Sequence, residues 1–230
     1  MAKSTEVAPF EGKTTLAERQ VQVGRGSENV LATDMAIPRL KLLQMISDEV
    51  QPGGPKQVEG AQAGMIMNSV SNELYSNLFL INLHFAKKIV VWKKRAIGGG
   101  MFGTFETEAE ARLQMDEQGL READHDISEN PTHLVYMLDE TGAPKGIALL
   151  DMPSTKIKVS KKWNALINEQ EQAGNPRFGC VWQLGVASQQ NNLGNFSNYT
   201  IKFITPATDA VFAKAEEGFN SFFGKVDKAA

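Results

Sequence analysis

The stretch LFLINLHFAKKIVVWKKRAIGGGMFG, Leu78–Gly103, sets a long apolar run, five basic residues and a glycine cluster next to one another. It reads as one long strand that ends in a mobile basic loop. Successive strand side chains point to opposite faces. Alternation therefore assigns Phe79, Ile81, Leu83, Phe85, Ile89 and Val91 to a core face, and Asn82, His84, Lys88, Trp92 and Lys94 to an open one. A strand that turns basic and aromatic on its open side suits a polyanion.

Working outward, Tyr75 and the segments GAQAGMIMNSV and NELYSN precede this strand as a strand and turn. Residues 1–30 are polar, without a sustained apolar period, and read as a poorly ordered tail. The segment from Ala32 to Val50 is apolar after Pro38, but its spacing does not separate helix from strand, and QPGGP at Gln51–Pro55 is a break. Beyond Gly103 the character changes. Nine Asp or Glu fall between Glu106 and Glu129 against two Arg, so 104–131 reads as an acidic, solvated insertion holding a short helix capped at Thr107 and stopped at Gly119.

The segment His133–Met152 is a hairpin around DETGAPKG. Thr155–Gly174 follows at helical spacing, with Ser154 or Thr155 as cap. FGCVWQLGVASQQ and NFSNYTIKFIT, joined by NNLG, form a second hairpin, and 206–230 reads as an amphipathic helix and tail. Long strand, insertion, hairpin, helix, hairpin is the strand order of an OB-fold, a five-stranded antiparallel barrel with its helix between the third and fourth strands. The expected fold is therefore mainly β with helices, an OB-fold barrel over 31–205 carrying the acidic insertion and a C-terminal helix. An open α+β sheet of the same order is the alternative.

With 230 residues and 42% hydrophobic composition the chain can bury a sizeable core, and a net charge of −3 argues against a generic nucleic-acid binder. Any such function must rest on local charge. Between Glu73 and Glu106 there is no acid, while Lys87, Lys88, Lys93, Lys94 and Arg95 fall inside. A second acid-free window, from Gln172 to Thr208, holds Arg177 and Lys202. Single-strand binders combine such a groove with aromatic platforms. Tyr75, Trp92, Phe102 and, on the last strand, Phe196 or Tyr199 are the candidates here, with core the favoured reading for Tyr199 and Trp182.

Enzyme readings find less support. Gly98, Gly100 and Gly103 match G-x-G-x-x-G after a strand, but the following helix opens with Glu106, Glu108 and Glu110, which would repel a pyrophosphate. There is no G-x-S-x-G, no H-E-x-x-H and no Walker lysine. The acidic pairs Asp124/Asp126 and Asp139/Glu140 read as solvated loop residues. A lone Cys180 and three histidines, His84, His125 and His133, offer no zinc spacing. No catalytic residue, metal ligand or cofactor is expected. Without a membrane-spanning run or an apolar signal segment in MAKSTEVAPFEG, the expected location is the cytoplasm.

The segments AIPRLKLLQMISDEV, GAQAGMIMNSV and FAKKIVVWKKRAIGGGMFG together resemble single-stranded DNA-binding proteins of tailed bacteriophages over about residues 30–205. The resemblance implies a non-catalytic OB-fold that coats single-stranded DNA in phage replication, recombination and repair in the host cytoplasm. Replication or recombination proteins are the expected partners, and a homo-oligomer is open. Many such proteins end in an acidic recruiting tail, whereas this chain ends GKVDKAA. The alternative is an oligomeric phage structural or assembly protein, motivated by Phe212, Phe219, Phe222 and Phe223. Less favoured is a nucleotide-binding enzyme using the 98–103 glycine loop.

Overall fold

The run Leu78–Lys93 is one strand, β4, sixteen residues long, and from Phe79 to Lys93 it pairs with β6, His125–Leu138. The structure, a computed structural model, describes residues 36–192 and 194–223 together with Asn29 and Asp34. The predicted tail at 1–30 and the residues after Phe223 thus lie outside the described residues, save Asn29. Everything below belongs to the compact unit Ala36–Ala230.

Two antiparallel sheets make up the β structure. The smaller has the order β1 (Leu40–Leu42), β2 (Ile66–Asn68), β3 (Leu74–Tyr75). The larger runs β7-β6-β4-β8-β9, with β7 at Pro144–Asp151, β8 at Cys180–Asn191 and β9 at Gly194–Pro206. β5, Met101–Phe105, folds back on the end of β4. Three α-helices are described: α1 (Glu108–Glu117), α2 (Ile157–Gln172) and α3 (Asp209–Phe223). The element order is the expected one, but the barrel is not closed. Closure needs the two outermost strands to pair. The outer edge of β7 is instead met by Pro38 and Arg39, through a bridge of Arg39 to Leu149 and a 2.8 Å bond from Leu149 N–H to the Pro38 carbonyl. The open mainly-β sheet with helices therefore replaces the five-stranded barrel.

The first half of β4 is buried on both faces. Leu78 and Leu80 join Val135, Met137, Leu150, Trp182 and the α2 residues Trp163 and Ile167 in one core. Ile81 and Leu83 join Leu134, Leu138 and Ala215 of α3 in another. At Leu83 the register against β6 slips by one residue, a bulge that inverts the alternation. Leu83 and His84 then both serve the α3 side, where the His84 ring meets Phe223 at 4.8 Å. Phe85 turns to His133 on the α2 side. Asn82, which precedes the bulge, is fully buried rather than on an open face because both faces are covered there.

The insertion 104–131 is not a solvated loop. It contributes the end of β5, all of α1 and the first half of β6. Ala111 and Met115 of α1 cover Ile89 and Val91, with Phe102, Phe105, Leu120 and Ile127 around them. The predicted cap holds, since the Thr107 hydroxyl accepts from Glu110 N–H at 3.2 Å, and Gly119 ends the helix region at φ +65°. At α2 the cap differs: Ser154–Lys156 form a 3₁₀ turn, and Lys156 precedes the helix without a side-chain cap. The α3 aromatics pack within the chain, Phe219 lying 5.0 Å from Phe178 and 4.7 Å from Phe223. They are thus half-buried against the chain's own core.

Candidate nucleic-acid interface

β4 ends in the basic segment because a 3₁₀ turn at Arg95–Ile97 and three left-handed glycines, Gly98, Gly99 and Gly100 at φ +103°, +65° and +106°, return the chain into β5. Lys93 N–H closes the turn on the Gly100 carbonyl at 2.8 Å. The glycine cluster is thus a hairpin turn between antiparallel strands. It opens no helix N-terminus, so the dinucleotide geometry is absent there.

At this tip Trp92 is 45% exposed, between Asp126 on β6 and Met101 on β5. Lys93 and Arg95 are exposed and form no ion pair among the described residues. The other cations are partnered. Lys87 binds Glu129 at 2.8 Å, Lys88 binds Glu106, and Lys94 donates to the Ala123 carbonyl at 2.7 Å with Asp126 3.8 Å away. Hydrogen bonding from Lys87 holds the Glu129 carboxyl below the usual range. A window free of acids in the sequence is therefore not free of them in space, because β6 runs antiparallel beside β4 and sets Glu129 opposite Ile89 and Asp126 opposite Trp92. Alternation after the bulge also divides the cluster. Lys88 and Trp92 share one parity and Lys87 and Lys93 the other.

The remaining predicted contacts lie elsewhere. Phe102 is half-buried, 6.0 Å from Phe105 and 6.2 Å from His125, packed in the α1 cluster rather than open for stacking. The Tyr75 ring lies 5.0 Å from the Lys145 ammonium, and its hydroxyl donates to Glu73 at 2.6 Å. Lys202, exposed on β9, sits opposite Gln183, which in turn faces Phe79 near the start of β4. That end is about 40 Å of strand from Trp92. Phe196 is half-buried near the β8–β9 turn, farther still because β8 runs away from the tip. The structure thus brings together Lys87, Lys88, Trp92, Lys93, Lys94 and Arg95, and separates Tyr75, Phe196 and Lys202 from them.

Two groupings escaped the sequence reading. Lys158, Lys161 and Lys162 are exposed on α2. A buried polar chain links Arg177, Asn82, His133 and Ser160. Arg177 Nη1 donates to Asn82 Oδ1 at 2.6 Å, Asn82 Nδ2 to His133 Nδ1 at 2.8 Å, and His133 Nε2 lies 2.8 Å from Ser160 Oγ. Since the Asn82 amide nitrogen can only donate, Nδ1 accepts and the His133 proton sits on Nε2, donating to Ser160. Burial, then the Arg177 charge, lowers the His133 pKa to about 3. Asn82, His133 and Ser160 are sealed from solvent, so this chain satisfies polar groups in the core rather than meeting a substrate. Its sequence signal was a polar residue inside each of two apolar strands.

Among the described residues no cluster of three or more His, Cys, Asp or Glu is placed to hold a metal ion, and no helix is long and apolar enough to cross a membrane. No curated protein and no solved structure matches the chain. The family model of the Pam3 phage gp34-like protein matches residues 7–227, nearly all of the sequence, and the chain belongs to that family.

Proposed function

We propose that this protein is a non-catalytic single-stranded DNA-binding protein, coating and protecting DNA during phage replication, recombination and repair in the host cytoplasm. The β4–β5 tip is its contact. The observation that carries this reading is the half-exposed Trp92 indole at the same strand end as Lys93 and Arg95, which are exposed and form no ion pair among the described residues. An exposed indole supplies a sequence-tolerant stacking surface worth about 1–3 kcal/mol per base, and the adjacent cations supply phosphate contacts. Membership of a phage family agrees with the origin that the sequence resemblance implies. The other two tryptophans, Trp163 and Trp182, are fully buried, so quenching of intrinsic fluorescence on adding oligo-dT reports Trp92. The expected outcome is saturable quenching that weakens as salt rises. Absence of binding at low salt defeats the reading.

A second reading, an oligomeric assembly protein, now rests on the same tip, where Ile97 and Met101 are exposed near Trp92. It predicts concentration-dependent oligomers in sedimentation without affinity for DNA.

A further inference from the structure

The cations of the tip are mostly partnered, and those of α2 are not. Lys158, Lys161 and Lys162 stand at i, i+3 and i+4, one stripe of the helix, opposite the buried Ser160, Trp163 and Ile167. None forms an ion pair among the described residues. Like charges at these spacings destabilise a helix. The acids of α2, Glu169 and Glu171, stand in its last turn, so the charges also run against the helix dipole. Within the helix folding gains nothing from this arrangement, and a bound polyanion would relieve the repulsion.

Two neighbouring features carry further positive charge near the helix. Across the sheet, the positive charge of Lys161 acts on Glu129, the carboxylate that Lys87 also holds. Lys87 shares strand parity with Lys93, about 20 Å along β4. At the start of the helix, the half-buried Lys156 lines a cleft of about 600 Å³ together with Arg39, Lys41 and Gln44. Arg39 is bound to Asp151 and Lys41 to Glu49, while Lys156 has no partner among the described residues.

We infer that the α2 stripe of Lys158, Lys161 and Lys162 is the principal phosphate-contacting surface for single-stranded nucleic acid. This rests on the DNA-binding reading above and assigns its electrostatic part to a different element. The test is titration of the full chain with oligo-dT across salt, comparing wild type, the triple variant Lys158→Gln, Lys161→Gln, Lys162→Gln, and Trp92→Ala. Each phosphate contact on a single strand contributes about 0.7 to the slope of log affinity against log salt, so the triple variant is expected to flatten the slope by about 2. Trp92→Ala is expected to weaken binding and leave the slope unchanged. Thermal unfolding of the triple variant should match or exceed wild type, because like-charge repulsion is removed; a solubilising role alone would leave the salt slope unmoved. An unchanged slope in the triple variant, with wild type binding, overturns this inference and leaves the tip as the site. Failure of wild type to bind overturns the DNA-binding reading itself, and this inference with it.

Discussion

The two halves of β4 share a strand and an apolar composition, yet only the first half carries a helix over each face. Leu78–Leu83 lies between β6 and β8, with α2 over one face and α3 over the other. Ile89–Lys93 has β6 and the short β5 beside it and α1 over one face, and its last residues are exposed. What covers a strand, rather than what it is made of, decides whether an aromatic on it is core or contact. Trp182 is sealed and Trp92 is open.

The largest effect expected from this contrast is in the first half. Trp163→Ala removes the side chain that packs on Leu78, Leu80 and Trp182, and should destabilise by about 3–5 kcal/mol in urea denaturation. In amide hydrogen exchange, Ile89–Lys93 and Met101–Phe105 should open at lower free energy than Leu78–Leu83. Equal protection of both halves would break the distinction.

Next comes the polar chain beneath the first half. His133 has a folded pKa of about 3 against an ordinary 6.5. Between these values the unfolded chain binds a proton that the folded chain does not, so stability falls as pH drops from 6.5 toward 3. The slope from this group is up to about 1.4 kcal/mol per pH unit, and there is no contribution above 6.5. Urea midpoints at pH 7, 6 and 5 for wild type and His133→Gln test this, because the variant should lose that part of the pH dependence.

In the second half the effects move from stability to binding. Trp92→Ala should weaken oligonucleotide binding by about 1–3 kcal/mol while changing stability by less than about 0.5 kcal/mol. A large loss of stability would place Trp92 with the core after all. The smallest effect is at the ion pairs. Glu129→Gln frees Lys87 and should alter stability by less than about 1 kcal/mol, while tightening binding in the same titration.

Much of the element order was legible. The two hairpins, α2 and α3, and the α1 cap at Thr107 follow from periodicity and turn chemistry, which act over a few residues. The site was legible only in part. Trp92, Lys93 and Arg95 lie exposed at the strand's end as alternation and charge suggested, whereas Phe102 was drawn into a cluster by Phe105 and His125. The acidic segment concealed that cluster, because Ala111, Met115, Leu120 and Ile127 are thinly spread among acids and find their partners on β4.

By itself the sequence determined the long strand, its basic glycine-closed end, and the two hairpins and helices that follow, all set by side-chain period and local backbone preference. Tertiary structure alone decided three things. A single bulged residue at Leu83 put His84 on the same α3 side and shifted the sheet face taken by the residues after it, because strand alternation carries no memory across an extra residue. Pro38 and Arg39 met the β7 edge that a barrel would have needed for closure, a pairing between segments more than a hundred residues apart. The antiparallel path of β6 brought Glu129 against Lys87 and Asp126 toward Lys94, while the exposed lysines of α2 form no ion pair among the described residues, because charges interact through space and not along the chain.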